Sequence, residues 1–326
     1  MKIIESIKEM REYSRQVKQI GKTIGLIDTE GDLHDGHMSL VKVAKENVDA
    51  VVLSICHTVD YFDSSIEKYE AQLTATATAE KATLEITFSG TGEIDMDMIS
   101  LFPEDTWKQR KNGMRKDLVQ LLADMDPGFL RFPGGCIVEG RTLAKRYQWK
   151  KTVGPIEDRE ILVNRWNTEF GHRPTPDYYQ SFGIGFFEYF QLAEDMGAEP
   201  LPILSCGMAC QFNTGELVPM EELDPYVQDA LDLIEFANGD VSTPWGKVRS
   251  DMGHPEPFNM KYIGVGNEQW GPDYIARYKV FSEAIKKQYP DMIIVSGSGP
   301  FPDGDYFEYG MEALKKLNAE IIDEHY

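Results

Sequence analysis

The sequence predicts an α/β protein whose larger part is a partial (β/α)8 barrel of about five parallel strands. Short apolar stretches alternate with amphipathic stretches through the second half of the chain, at the spacing of strands and helices. Several apolar stretches end at glycine or polar residues, as strands do at the carboxyl edge of a parallel sheet. The chain has 326 residues, of which 42% are hydrophobic, and it can therefore fill a sizeable core.

Three segments of different character follow one another along the chain. Residues 1–62 are expected to form a small Rossmann-like α/β segment, because helix and strand patterns alternate there. Residues 63–103 contain a junction followed by alternating stretches, which predict a few strands of β-sandwich type. Residues 104–326 carry the partial barrel.

The first segment begins with an amphipathic helix over residues 4–20, in which apolar residues recur at helical spacing. Strands are predicted at 23–27 and 50–56. A loop containing His34 and His37 and a helix lie between these strands. In the second segment, alternation at 72–78 and 83–88 predicts antiparallel strands.

The third segment alternates strands and helices in the order that a barrel requires. Strands are predicted at 128–133, 201–205, 261–265, 293–298 and 320–326, and helices at 112–125, 178–196, 226–237, 272–288 and 306–317. Residues 136–176 form a loop that is too long for a simple connection, and we expect it to wall a pocket.

The motif at the end of the third barrel strand carries the candidate chemistry. Residues 263–271 spell IGVGNEQWG, so Asn267 and Glu268 emerge where the apolar strand ends. A carboxyl group beside an aromatic wall at this edge can have its pKa raised enough to act as a general acid at neutral pH. The alternative is that Glu268 only caps the following turn.

The longer sequence blocks around this motif resemble glycoside hydrolase family 51, the α-L-arabinofuranosidases. The blocks are FLRFPGGCIVEGR at 129–141, YQWKKTVGPIEDR at 147–159, the stretch 164–211 and KYIGVGNEQWG at 261–271. The resemblance runs from about residue 70 to the last residue. It implies retaining hydrolysis of terminal α-L-arabinofuranosyl residues from arabinose-containing oligo- or polysaccharides.

The resemblance also implies roles for individual residues. Glu268 would be the general acid/base, and Asn267 would hydrogen-bond the sugar 2-hydroxyl. Cys136 follows a Pro-Gly-Gly turn at a position that contacts the sugar in this family, although a buried thiol packed under the loop is an alternative. Tyr326 would begin a tyrosine pair near the nucleophile. Trp149 and Trp166 can stack on a furanose ring or fill the core of their own loop.

In this family the nucleophile lies on the seventh strand, which would fall beyond Tyr326. A sugar-binding glutamate on the family's first strand would fall where the first segment of this chain lies. We therefore expect the 326-residue chain not to hydrolyse arabinofuranosides at a useful rate. Whether the chain is itself an enzyme, or a non-catalytic carbohydrate-binding or chimeric fragment, stays open.

The first 62 residues resemble the opening of pantothenate synthetase, an HxGH nucleotidyltransferase. In that family the two histidines, here His34 and His37, contact ATP phosphates near a helix N-terminus. The flanking loops depart from the family pattern, with Asp-Thr-Glu-Gly at 28–31 and His-Thr-Val-Asp-Tyr-Phe at 57–62. An ATP-dependent pantoate–β-alanine ligase fragment is the alternative function, and a fold remnant joined in a chimera is the interpretation we favour.

Charge and composition restrict the partners. The net charge is −21, which opposes a nucleic-acid or anionic-membrane partner, and a neutral sugar fits better. Cys206 and Cys210 lie four residues apart with no histidine cluster nearby, so no metal site and no cofactor are expected. The first residues lack a signal-peptide pattern, which predicts a cytoplasmic protein. Homo-oligomer formation stays open.

Overall fold

The computed structural model describes most of the chain as two compact units, Met1–Thr91 and Gly92–Tyr326. The described residues are 7–30, 42, 44–45, 48–56, 69–75, 77–78, 82–89, 96, 99–164 and 179–326.

The first unit contains one helix and two parallel strands. Helix α1 (Ile7–Gln19) precedes strand β1 (Ile24–Glu30), which pairs in parallel with β2 (Ala50–Cys56). The residues just before the two strands are tied together, because the backbone N–H and hydroxyl of Thr23 both donate to Asp49 Oδ2 at 2.9 Å. Helix α1 and strand β2 lie where a helix and a strand were predicted, although residues 4–6 lie outside the described part of the chain. Strand β1 continues to Glu30, three residues past its predicted end at 27, into the stretch predicted as a loop.

The strands predicted at 72–78 and 83–88 are not formed in the part of this segment that the structure describes, which lies in no helix or strand. Leu73, Ile86 and Phe88 are exposed there, at 64%, 48% and 56%. Alternating apolar residues stabilise a strand only when a neighbouring strand and a covering layer bury them. The pattern is present in the sequence, but the described structure shows nothing that covers it.

The second unit is an α/β unit built on a parallel sheet. Its elements, in chain order, are α2 (Lys116–Ala123), β3 (Phe129–Phe132), β4 (Leu162–Val163), β5 (Tyr179–Gln180), α3 (Phe186–Met196), β6 (Glu199–Leu204), α4 (Asp224–Asn238), α5 (Pro244–Asp251), β7 (Tyr262–Val265), α6 (Pro272–Gln288), β8 (Ile293–Gly297), α7 (Asp305–Lys316) and β9 (Ile321–Asp323). Strands β3, β6, β7, β8 and β9 pair in that order, and every pair is parallel. The predicted five parallel strands are confirmed.

Two predicted helices begin later than expected. The helix predicted from residue 112 begins at Lys116, as α2. The pattern predicted a helix from residue 178, but Tyr179–Gln180 form β5, which pairs antiparallel with β4. Helix α3 begins at Phe186, directly after Gly185. Glycine is a poor helix former, and here the Gly185 backbone N–H donates to Glu188 Oε2 at 2.7 Å as part of the helix start. The two glycines at 183 and 185 therefore separate the strand from the helix.

The sheet packs against helices through a core rich in aromatic side chains. Phe132, at the end of β3, lies 5.2 Å from both Phe186 and Phe190 of α3 in edge-to-face contacts. In β6 every residue after the first is buried, and in β7 the last three are buried. Strands buried along their whole length are expected in a parallel sheet whose faces are covered.

The sheet is curled, as a contact between side chains of its two edge strands shows. Arg131 in β3 places Nη2 3.3 Å from Asp323 Oδ2 in β9. In a flat sheet these strands would be about 19 Å apart, four spacings of about 4.8 Å, which is farther than the two side chains can reach. The contact therefore requires the curvature of a barrel segment, and it lies at the carboxyl edge of the sheet.

Candidate active site

The candidate site begins where β7 ends, at a backbone turn that only glycine permits. Gly266 has φ 77°, and a Cβ there would lie 2.5 Å from Gln269 Oε1 and 2.9 Å from the ring of Tyr274. Glu268 itself has φ 57°, an uncommon conformation for a residue with a side chain. Such backbone strain tends to occur at functional sites, where surrounding contacts hold it.

The Glu268 carboxylate is held from two sides. Cys136 Sγ, from the loop after β3, donates to Oε2 at 3.3 Å. His325 Nδ1, two residues after β9, lies 3.1 Å from Oε1. The ends of β3, β7 and β9 therefore meet at this carboxylate. Glu268 and the Pro-Gly-Gly turn that precedes Cys136 therefore lie at the same edge of the sheet.

Asn267 is buried and fixed by two charged or acidic side chains. Its Oδ1 accepts a hydrogen bond from Arg131 Nη2 at 2.8 Å, and its Nδ2 donates to Glu139 Oε1 at 2.8 Å. The side chain is oriented by these contacts, because only one assignment of oxygen and nitrogen suits an arginine donor and a carboxyl acceptor. An amide nitrogen has a second N–H, which leaves one donor for a ligand.

Glu139 is a buried acid that the sequence analysis did not single out. It is 2% exposed, and burial raises its pKa to about 9. At neutral pH Glu139 is therefore a neutral carboxyl group, which still accepts from Asn267. Its signal in the sequence was its place three residues after Cys136, in the block FPGGCIVEGR.

Glu268, by contrast, is held ionised. The hydrogen bond from His325 is the main cause that lowers the pKa of Glu268, although burial opposes it. Hydrogen bonds to Asp323 and then to Glu268 raise the pKa of His325 to about 9. At neutral pH the site therefore holds a protonated imidazole between two carboxylates. An ionised Glu268 can act as a general base. A second carboxylate placed close to Glu268 would raise the pKa of Glu268, which would then be protonated and could act as a general acid.

We predict that His325→Gln lowers stability in a pH-dependent way. The folded-state pKa of His325, about 9, exceeds the ordinary histidine value near 6.5, so the stabilisation is fully present below about pH 6.5 and is lost as pH rises through about 9. Solvent screens the partly exposed His325 and its two carboxylate partners, so we expect the free energy of unfolding to fall by about 1–2 kcal/mol at pH 6. Urea unfolding of both proteins measures it. A difference that stays constant from pH 6 to pH 10 would contradict the ion pair.

A comparison with protein-family models decides the family of this site. The model described as "Alpha-L-arabinofuranosidase 1 domain" matches residues 121–326, which is more than half of the chain and includes every residue of the site. The chain belongs to the α-L-arabinofuranosidase family. A second model, described as pantoate-beta-alanine ligase, matches residues 2–113 and extends past the first 62 residues.

Relatives in the arabinofuranosidase family are similar over most of this chain. An extracellular exo-α-L-arabinofuranosidase of Streptomyces chartreusis is 41% identical over 79% of this chain and 31% of its own length. α-L-Arabinofuranosidase 1 of Arabidopsis thaliana is 43% identical over 74% of this chain and 34% of its own. The chain therefore spans about a third of the length of these relatives.

A solved family structure agrees with the fold. An arabinose-bound family 51 α-L-arabinofuranosidase is 35% identical, with a TM-score of 0.51 over 60% of this chain and 30% of that chain. The curled five-stranded sheet is thus a segment of the family's barrel.

The prediction of a cytoplasmic location is wrong, because the Streptomyces relative is an extracellular protein. That prediction rested on the first residues of this chain, which carry no information on secretion when the chain spans about a third of its arabinofuranosidase relatives. Among the described residues, no helix has the length and apolar character needed to cross a membrane.

The structure brings together some of the residues predicted for the arabinofuranosidase site. Asn267, Glu268 and Cys136 lie within hydrogen-bonding reach of one network. Tyr326 lies at the same edge but is 96% exposed, and its hydroxyl donates to Glu324 Oε2 at 2.8 Å. Its proposed role beside a nucleophile stays a prediction.

Trp149 is not at the site, which corrects the expectation that it stacks on a sugar. It is 1% exposed, and its Nε1 donates to the Asp229 backbone oxygen at 2.9 Å. Its ring packs against Trp245 and Phe236, with centroids 4.8 and 5.5 Å away. The loop fills the core with this side chain, as the alternative interpretation held.

Three predicted residues lie outside the described part of the chain, namely Trp166, His34 and His37. Four residues of the network were given no role from the sequence, namely Arg131, Glu139, Asp323 and His325. Asp323 and His325 lie in the last predicted strand, 320–326, which ends at Asp323 in the structure, so the polar residues near its end were the available signal.

Proposed function

We propose that this chain carries the acid/base half of a retaining α-L-arabinofuranosidase, an enzyme that releases terminal α-L-arabinofuranosyl residues from arabinose-containing oligo- or polysaccharides. The observation that carries the proposal is the Glu268 carboxylate, held at the carboxyl edge of the sheet between Cys136 and His325. Relatives that are 41% and 43% identical are named α-L-arabinofuranosidases, which supports the substrate class.

In the proposed reaction Glu268 acts twice. It first gives its proton to the leaving glycosidic oxygen while a second carboxylate attacks the anomeric carbon and forms a glycosyl-enzyme. It then takes a proton from water, which attacks the same carbon and releases the sugar and the second carboxylate. Asn267, buried and oriented beside it, would donate its free N–H to the sugar 2-hydroxyl.

The second carboxylate must lie about 5–5.5 Å from the acid in a retaining enzyme. Asp323 is an ill-suited nucleophile because Arg131 and His325 already bind it. Glu139 is buried and neutral, and Glu324 is bound by the hydroxyl of Tyr326. We therefore propose that the nucleophile comes from outside these 326 residues, on a further strand of the barrel.

An assay on the purified 326-residue chain tests this proposal. With an aryl α-L-arabinofuranoside we expect hydrolysis no faster than that of Glu268→Ala, because protonation alone does not replace the nucleophile. We expect hydrolysis to return when the remaining strands of the family domain are added, and to fall again with Glu268→Ala. Robust hydrolysis by the 326-residue chain that both Glu268→Ala and Glu324→Ala abolish would instead make Glu324 the nucleophile.

For the first unit we propose a fold remnant of pantoate–β-alanine ligase rather than a working ligase. The family-model match over residues 2–113 and the parallel pair β1–β2 support the relationship. Asp28 and Glu30, at the end of β1, place two carboxylates where a phosphate-binding loop would avoid them. ATP binding that His34→Ala and His37→Ala abolish would contradict the remnant.

A further inference from the structure

Two thiols and one carboxyl group meet beneath the Glu268 site. Among the described residues, Cys136, Glu139 and Cys210 form a group whose ligand atoms all lie within 4.8 Å of one another. Glu139 and Cys210 are 2% and 1% exposed, while Cys136 is partly exposed and gives access from the site. The spacing of Cys206 and Cys210 in the sequence does not reveal this group, because Cys136 and Glu139 come from a different loop.

The backbone fixes the two loops that carry these residues. The Gly140 N–H donates to the Cys136 carbonyl at 3.1 Å, and the Cys210 N–H donates to the Gly140 carbonyl at 3.0 Å. A Cβ on Gly140 would lie 2.6 Å from the backbone of Lys145, and its φ is 71°, so glycine is required at this crossing. The three side chains are thus held together by the fold and not by their own flexibility.

We propose that Cys136, Glu139 and Cys210 form a binding site for a thiophilic divalent cation of the Zn²⁺ class. Two sulfur ligands select zinc-like ions over Mg²⁺ or Ca²⁺, which prefer oxygen. Zinc lies about 2.3 Å from sulfur and about 2.0–2.2 Å from a carboxylate oxygen, so its ligand atoms are roughly 3.5–3.8 Å apart in a tetrahedron. The ligand atoms of the group, now within 4.8 Å of one another, would have to draw together to reach that geometry. Three protein ligands leave one position of the tetrahedron open.

Burial supports this assignment. Glu139 and Cys210 are almost fully buried, and burying a carboxylate or a thiolate is costly unless a cation lies beside it. A bound divalent cation offsets that cost, so the ion replaces the protons of the thiols and of the carboxyl group. Binding therefore releases protons and is tighter at higher pH.

The site is linked to Glu268 through Cys136. The Cys136 thiol donates to Glu268 Oε2 at 3.3 Å, and a metal-bound thiolate has no proton to donate. The ion would therefore remove one of the two hydrogen bonds that hold the Glu268 carboxylate. We expect such a cation to inhibit an enzyme that uses Glu268, but binding itself does not depend on hydrolysis.

Titration of the reduced 326-residue chain with Co²⁺, a spectroscopic substitute for Zn²⁺, tests the proposal. We expect one equivalent to bind with a thiolate-to-metal charge-transfer band, and Zn²⁺ to displace it. Cys136→Ala, Cys210→Ala and Glu139→Gln should each weaken binding by at least about 10-fold. Cys206→Ala is the matched control, because Cys206 is as buried as Cys210 but lies outside the group, and it should bind normally.

A second measurement covers variants that fail to fold. Zn²⁺ should raise the thermal unfolding midpoint of the unsubstituted chain, and excess chelator should reverse the rise. The proposal is overturned if Zn²⁺ leaves the midpoint unchanged, if no thiolate band develops, or if the band persists in Cys210→Ala. Peptide mapping that finds a Cys136–Cys210 disulfide resistant to reductant would also overturn it.

Discussion

Glu268→Gln is expected to lower turnover by about 10²–10⁴-fold on arabinofuranosides with poor leaving groups, in a chain extended by the remaining strands of the family domain. Glutamine keeps the size of the side chain and can still meet Cys136 and His325 at their observed distances, 3.3 and 3.1 Å from the Glu268 oxygens. It has no proton to give to a leaving alkoxide. The loss therefore reports proton transfer and not collapse of the site, and kcat/KM on an arabino-oligosaccharide measures it.

The matched control is Glu324→Gln. Glu324 directly follows β9 at the same edge of the sheet. Its Oε2 accepts a hydrogen bond from the Tyr326 hydroxyl at 2.8 Å and does not contact the hydrogen-bond network of Glu268. We expect its turnover to stay within a few-fold of the unsubstituted enzyme. Equal losses in the two variants would mean that neither side chain has a specific role.

Trp149→Ala is expected to destabilise the chain by about 3–5 kcal/mol. The substitution empties a fully buried site that Trp245 and Phe236 line, and it leaves the Asp229 carbonyl without its indole donor. The free energy of unfolding in urea measures the effect. Trp149→Phe keeps an aromatic ring but loses the N–H, so we expect a smaller loss.

A sugar-stacking role for Trp149 predicts a different result. Trp149→Ala would then weaken arabino-oligosaccharide binding while changing the unfolding free energy by less than about 1 kcal/mol. That outcome would contradict the position of the side chain in the core.

Most of the barrel segment could be predicted from sequence because its patterns are local. Helix α6 and strands β7 and β8 lie within one residue of their predicted bounds, since each is bounded by glycine, proline or polar residues. The start of α3 was misplaced because an apolar stretch containing Gly183 and Gly185 still shows helical spacing, and spacing does not reveal where a short strand pair competes.

The site was predictable only where a motif marked it. Glu268 and Asn267 stand at a strand end that the sequence displays, and family resemblance supplied their roles. Glu139 and Cys210 could not be paired from sequence, because two separate loops cross through Gly140 to bring them together. The contact of Arg131 with Asp323 was also hidden, since it depends on how strongly the sheet curls.

Some expectations failed for physical reasons that apply beyond this chain. The stretches at 72–78 and 83–88 have the alternation of strands, but alternation describes which face is apolar and not whether a partner strand covers it. The prediction of a cytoplasmic location relied on the first residues of a chain that spans about a third of the length of its relatives. Both predictions needed information from outside the segment on which they were based.

We propose that Glu268 is the proton donor of an arabinofuranosidase site, and the dependence of turnover on the leaving group distinguishes proton donation from a structural role. The measurement compares Glu268→Gln with the unsubstituted protein, both extended by the remaining family strands, on aryl α-L-arabinofuranosides whose phenols differ in pKa. Activated phenols leave without protonation, so we expect the glycosylation rate of the variant to fall little for these and increasingly as the phenol becomes a poorer leaving group. A loss of the same size across the whole series would instead make Glu268 a structural residue.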